Sequence, residues 1–177
     1  MHSELMLRPV TPDDAAHIEA YRAAFAGAEM RVTAEPGRIP GLDLLEQFEN
    51  AAAWLKWCSE MQGRLSFFMS VRPADGKMIG ALLLRHRLEY DDDDPEFASH
   101  IGYSIRPDAR RRGYAKEQLR LGLEQAKAIG LTQVRLICAD FNIGSIRTIL
   151  ANGGKLADSI CGEESGLRVN RYDIRLT

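Results

Sequence analysis

Apolar positions recur along the chain in two rhythms. A loose two-residue alternation over residues 4–10 predicts a first strand. Thr11-Pro12-Asp13-Asp14 then carries the residue types of a helix start, with a hydroxyl to cap, a proline at the first helical position and acids in the first turn. Ile18, Tyr21, Arg22 and Phe25 follow at helical spacing, and residues 27–41, with Pro36, Gly37, Pro40 and Gly41, read as loop. A second helix is predicted over 43–61, where Leu44, Leu45, Phe48, Ala52, Leu55 and Cys58 make one apolar stripe. Strands over 65–72 and 77–88 flank the turn Pro73-Ala74-Asp75-Gly76 and read as a hairpin. A further strand over 97–105 stops at Pro107-Asp108. From residue 111 the rhythm becomes helical: Ala115, Leu119, Gly122, Leu123 and Ala126 predict a helix over 111–129 closed by Gly130. A buried-type strand over 131–139, a short helix over 142–151 and a last strand over 168–176 complete the order. The β–α–β stretch over 97–139 implies a right-handed crossover between two parallel strands. The expected fold class is therefore α/β: one layered domain over 1–177, a mixed sheet with helices on both faces.

Composition narrows the class further. With 177 residues, 45% of them hydrophobic and 27% charged, the chain has globular proportions, which excludes collagen-like, disordered and disulfide-scaffold classes. A net charge of −2 gives no bulk reason to expect nucleic acid or an anionic membrane as partner. No apolar run approaches the ~18 residues of a membrane span. The opening MHSELMLRPV lacks a basic segment followed by an apolar one, so no secretory signal is expected. Cys58, Cys138 and Cys161 form no CxxC pair and no zinc spacing with histidine, so the expectation is a cytoplasmic protein without a metal.

Candidate chemistry concentrates in Ile101 to Lys116, IGYSIRPDARRRGYAK. A strand, a short loop and a helix start follow one another there, with Gly113 in the first helical turn. The unpaired N–H groups of such a turn and the positive end of its dipole suit a phosphate or diphosphate. Arg106, Arg110, Arg111, Arg112 and Lys116 add local positive charge to a slightly acidic chain. The physical reading is a diphosphate-bearing ligand; the plain alternative is a solvated basic helix face.

Arg110-Arg111-Arg112-Gly113-Tyr114-Ala115 resembles the Q/R-x-x-G-x-G/A pattern of the GNAT superfamily of N-acetyltransferases, and Asn142-Ile143-Gly144-Ser145 resembles that family's N-x-x-S/A stretch. GALLLRHRL, HIGYSIRPDARRRGYA and NIGSIRTILANGG are similar to a bacterial group of GNAT proteins. The resemblance implies a mixed, mostly antiparallel sheet with a V-shaped cleft between two splayed parallel strands. It also implies acetyl-CoA as co-substrate, with no metal. Backbone groups of Tyr103, Ser104 and Ile105 would bond the pantetheine arm, and the Ile105 N–H would face the thioester oxygen as the oxyanion donor. Amides from Arg111 to Ala115 (Arg111, Arg112, Gly113, Tyr114, Ala115), with Arg110, would hold the diphosphate or lie near the 3′-phosphate. Asn142 and Ser145 would touch the pantetheine or adenosine, Asn142 reading equally as a helix N-cap.

The implied reaction is direct attack of a primary amine, of a small molecule or a peptide, on the acetyl carbonyl within a ternary complex. Two positions depart from the family. Where some members carry a glutamate base the chain has Ser99, and where many carry a tyrosine acid it has Ile149. Substitute candidates are His100, with His86 on the neighbouring strand, and Tyr172 on the last strand; a packing role is the competing reading for each. Cys138 as a nucleophile lacks a paired histidine. The acceptor side is expected to involve the loop over 26–42 and the acidic run 89–96, suited to a cationic amine or simply solvated. Trp54 and Trp57 read as acceptor pocket, core or homodimer packing. The competing function from the same residues is a coenzyme-binding sensor or interaction module without turnover, and a nucleic-acid reading of Arg110–Arg112 lacks a broad basic surface.

Overall fold

The structure, a computed structural model, describes residues 4–28, 37–90, 97–162 and 166–177. In chain order these form β1 (Met6–Pro9), α1 (Ala15–Ala23), α2 (Ala51–Glu60), β2 (Leu65–Arg72), β3 (Lys77–Arg85), β4 (Ile101–Ile105), α3 (Tyr114–Ala128), β5 (Gln133–Ala139), α4 (Ile143–Ala151), β6 (Lys155–Cys161) and β7 (Arg168–Arg175). One sheet has the order β1-β2-β3-β4 and a second the order β5-β7-β6, and every ladder within them is antiparallel.

Side chains alternate across a strand, and here both faces of the first sheet are covered. Phe67, Met69 and Val71 join Ala81 and Leu83 beneath Ile18 and Tyr21 of α1, Phe25 just after it, and Trp54, Leu55 and Cys58 of α2. Phe68, Leu82 and Leu84 face the other way, toward Leu119, Leu123 and Ala126 of α3 and toward Val134 and Leu136 of β5. Each such side chain taken fully from water contributes roughly 1.5–3 kcal/mol, so this double burial is the main force holding β2 and β3 at the centre. The expected α/β layering with helices on both faces is present; the sheet is divided in two between β4 and β5.

Several boundaries move for local reasons. The second helix starts at Ala51 rather than 43: Leu44 has a left-handed backbone (φ 67), and Asn50 caps the helix by accepting the Ala53 N–H at 2.9 Å. Its buried stripe uses Ala51 and Trp54, while Ala52 is exposed. Trp54 is wholly buried and Trp57 stacks against Phe48 and Phe67, so both tryptophans belong to the core. Residues 97–100 precede β4 rather than extend it, and 86–88 lie beyond the end of β3. Helix α3 starts at Tyr114, because Arg111 (φ 62) and Gly113 (φ 86) are both left-handed. Strand β6 was not expected: nearly all of it is exposed, and only its ladder with β7 makes it a strand. The acidic residues 91–96 and the part 29–36 of the predicted acceptor loop lie outside the described residues. Among the described residues no helix is long and apolar enough to cross a membrane, and no group of His, Cys, Asp and Glu could hold a metal ion.

Candidate active site

The division between the sheets creates the site. The His100 N–H donates to the Arg135 carbonyl at 2.9 Å, and the Arg135 N–H donates to His100 Nδ1 at 2.9 Å. Three residues further along each strand, Tyr103 and Cys138 are still neighbours. The same offset at both points means that β4 and β5 run in the same direction. Beyond His100, β4 is laddered only to β3 and β5 only to β7, so toward their C-terminal ends the ladder between them has a gap.

The register of β4 decides which of its groups face that gap. Bonds from the Arg85 N–H to the His100 carbonyl and from the Arg106 N–H to the Ile79 carbonyl mark two hydrogen-bonded pairs. Leu83 opposite Gly102 and Ala81 opposite Ser104 continue the alternation. The peptide groups of Tyr103 and Ile105 therefore turn away from β3, into the gap. Ser104 does not: its backbone groups pair with Ala81, and its hydroxyl lies 3.0 Å from that of Tyr21 on the α1 side. Of the three residues expected to bond a pantetheine arm through their backbones, the pleat removes Ser104.

Past Ile105 the chain turns into α3. Gly113 at its N-cap makes no side-chain capping bond, and a Cβ built there would meet nothing within 4 Å. A side chain at this position would face open space, and Arg111 and Arg112 beside it are exposed. Arg110 is turned back: its Nε donates to the Ile105 carbonyl at 3.1 Å, and its guanidinium stands 5.8 Å from the centre of the Phe25 ring. It thus ties the turn to β4 and α1. The one acid of this first turn, Glu117, is paired with Arg120, and a basic helix start without a side-chain cap is of the kind that fits a diphosphate.

Across the gap, α4 is capped. Asn142 Oδ1 accepts the Ser145 N–H at 3.1 Å, and the Ser145 hydroxyl lies 2.9 Å from the Tyr103 hydroxyl. Burial raises the Tyr103 phenol, so it stays protonated, and burial likewise raises the Cys138 thiol, which keeps it from acting as a thiolate. The Tyr103 side chain was missed by sequence reasoning, which had assigned only its backbone.

The remaining candidates are dispersed. His100 sits at the closed end of the gap with Nδ1 used as an acceptor, and burial lowers its pKa and holds it neutral. Tyr172 lies on β7, separated from β4 by β5, buried and accepting a bond from Asn170 Nδ2 at 3.3 Å. His86 pairs with the Ser66 hydroxyl at 2.8 Å beyond the end of β3. Ser99 donates to the Ile101 carbonyl at 3.0 Å and Ile149 is fully buried, so neither supplies a free acid or base. On the α1 side of β4, a buried ion pair joins Arg85 Nη2 to Asp43 Oδ2 at 2.8 Å, and the same carboxylate accepts the Gly41 N–H. Gly41 is required there, because a Cβ would come within 2.6 Å of the Ala81 backbone.

Two strands that share no ladder beyond His100 thus lie beside a cationic helix start without a side-chain cap. A family model described as an acetyltransferase (GNAT) domain matches residues 4–155. The chain belongs to the GNAT acetyltransferase family. No curated protein matches it at the sequence level. Similar solved structures include the ribosomal-protein-S5-alanine acetyltransferase from Vibrio fischeri, with a TM-score of 0.76, 15% identity and 99% and 94% of the two chains covered. The acetyltransferase from Salmonella typhimurium that modifies the N-terminal serine of ribosomal protein L7/L12 has a TM-score of 0.72 at 13% identity, covering 99% and 97%. The microcin C7 self-immunity acetyltransferase MccE, solved with acetyl-CoA and AMP, has a TM-score of 0.73 at 12% identity, covering 99% and 94%. At these identities the likeness is one of fold.

Proposed function

We propose that the protein transfers the acetyl group of acetyl-CoA to a primary amine, by direct attack while both substrates are bound. The single observation that carries this reading is the pairing of the bare first turn of α3 with the gap-facing Ile105 N–H. The first turn suits the diphosphate of coenzyme A, and the Ile105 N–H suits the oxygen that gains negative charge when the thioester is attacked. Arg111, Arg112, Gly113, Tyr114 and Ala115 hold the diphosphate, Tyr103 and Ile105 bond the pantetheine through their backbones, and Ser145 lines the opposite wall. The Tyr103–Ser145 hydroxyl pair can offer a hydrogen bond to the departing thiolate, which takes its proton from water. His100 keeps the closed end of the gap fastened instead of acting as the base, and the amine loses its proton to water. A cytoplasmic location follows from the co-substrate.

The acceptor belongs to the class of primary amines, with protein N-termini the first to test, because the structurally similar Salmonella typhimurium acetyltransferase modifies an N-terminal serine. Release of free thiol from acetyl-CoA, followed over peptides with N-terminal alanine or serine, polyamines and aminoglycosides, tests the proposal. Thiol release with at least one amine supports it. Tight coenzyme A binding without release for any amine supports the second reading, a coenzyme-binding module without turnover, which Ser99 and Ile149 favour.

A further inference from the structure

Gln118 lies one turn beyond the start of α3, on the stripe that packs against the first sheet, and none of its surface reaches solvent. Its Nε2 donates to the Ala81 carbonyl at 2.6 Å and to the Ser104 carbonyl at 3.4 Å, whereas Oε1 has no partner among the described residues. Only a glycine at 80 leaves room for it: a Cβ there would stand 1.9 Å from Gln118 Oε1 and 2.9 Å from Ile105 Cδ1. An apolar side chain would fill this slot without stranding a buried oxygen, so packing alone does not account for an amide there.

The Ser104 carbonyl and the Ile105 N–H are two ends of one rigid, planar peptide group. Donors held on its oxygen fix the direction of its N–H and polarise the group, which makes that N–H a stronger donor. The same residue is gripped from the opposite face by the Tyr21 hydroxyl. We propose that Gln118 is a positioning residue for acetyl transfer: it orients and polarises the 104–105 peptide so that the Ile105 N–H meets the thioester oxygen as charge builds on it. This rests on the acetyltransferase reading above. Helix α3 then has two tasks, its first-turn amides anchoring the diphosphate and its next turn setting the donor. The anchor and the side chain that sets the donor on β4 share one stiff element, which holds anchor and donor in fixed relation.

Gln118→Met keeps the length of the side chain and removes both polar atoms. Infrared difference spectra of acetyl-CoA labelled with ¹³C at the thioester carbonyl read the donor directly. In the wild type the bound carbonyl stretch should shift to lower frequency than in water, and in Gln118→Met at least half of that shift should disappear. Once an acceptor is in hand, kcat should fall about tenfold, less than the loss expected from deleting an oxyanion donor outright, with KM for both substrates within about twofold. An unchanged stretch, or unchanged kcat, would overturn the proposal. Gln118→Glu covers the case in which the methionine variant does not fold: a buried carboxyl can donate only when protonated. Its activity relative to wild type should rise as pH falls, and a ratio flat from pH 8 to 5.5 counts against the role. Failure of acetyl-CoA to bind wild-type protein would instead overturn the acetyltransferase reading itself.

Discussion

Two helices begin on either side of the gap, and they begin differently. At α4 the first turn is closed by its own chain, with Asn142 accepting the Ser145 N–H. At α3 the first turn follows two left-handed residues and has no capping side chain. Asn50 caps α2 as Asn142 caps α4, whereas α1 follows directly on the turn at Pro12–Asp14 without a side-chain cap, its Asp14 accepting from the Thr11 N–H and hydroxyl while bridging to Arg8. A cap contributes about 0.5–2 kcal/mol, so α3 forgoes stability that α2 and α4 have. The difference teaches where to look for a ligand: amides satisfied by the protein are structural, and amides left bare beside cations are available to an anion.

The comparison can be broken most directly at Gly113. Gly113→Glu puts a carboxylate where the diphosphate is to sit, and coenzyme A affinity measured by calorimetry should fall at least about 100-fold. The fold should survive, because a side chain there meets open space and the left-handed backbone costs only about 1–2 kcal/mol. Gly113→Ala has the strain without the charge and should retain most of the affinity; wild-type binding by the glutamate variant would remove α3 from the site.

A smaller effect is expected at the start of α1. The Arg8 guanidinium, helped by the Thr11 N–H and hydroxyl, holds the Asp14 carboxyl down at about 2. A carboxylate whose folded pKa lies below its unfolded value adds stability that is complete above the unfolded value, near pH 4, and is lost as pH falls toward 2. Asp14→Asn should therefore cost about 1–2 kcal/mol at pH 7 in urea unfolding, allowing for the part of Arg8 in water, and almost nothing near pH 2. Coenzyme A affinity should not change.

Asn142→Ala sharpens the contrast, because the same residue is both a cap and a wall of the gap. Loss of the cap should cost about 1 kcal/mol and lower Tm by about 2–4 °C. Affinity for coenzyme A within twofold of wild type makes Asn142 a cap alone, and a tenfold loss makes it a ligand as well. The smallest effect is a slope. Burial lowers the His100 pKa, so the folded state resists protonation that the unfolded chain accepts, and His100 subtracts stability as pH falls below its ordinary value near 6.5. His100→Asn retains an acceptor for the Arg135 N–H and should flatten the fall in stability between pH 7.5 and 5, measured in urea.

Much of this was legible in the sequence where burial is governed by neighbours in the chain. The strand at 65–72 is read to the residue, since both of its faces are covered and its apolar run says so. The turn at Gly113 is equally legible as a helix start, because glycine readily takes the left-handed backbone that opens α3. Gln118 left a faint signal, a polar residue on that stripe. Leu44 left none: its left-handed backbone follows Gly41–Asp43, a segment pressed against β3 and β4, and no local preference of leucine would produce it.

By itself, then, the chain determined most of its elements, its layering and the basic turn before α3, because hydrogen-bonding patterns and apolar periodicity act over a few residues. Tertiary structure alone decided the rest. It split the sheet between β4 and β5, turned Ile105 toward the gap and Ser104 away from it, drew Arg110 back onto Phe25, put β5 between Tyr172 and β4, and made a strand of β6. Those outcomes depend on register and on which surfaces meet, and both are set by partners far apart in sequence.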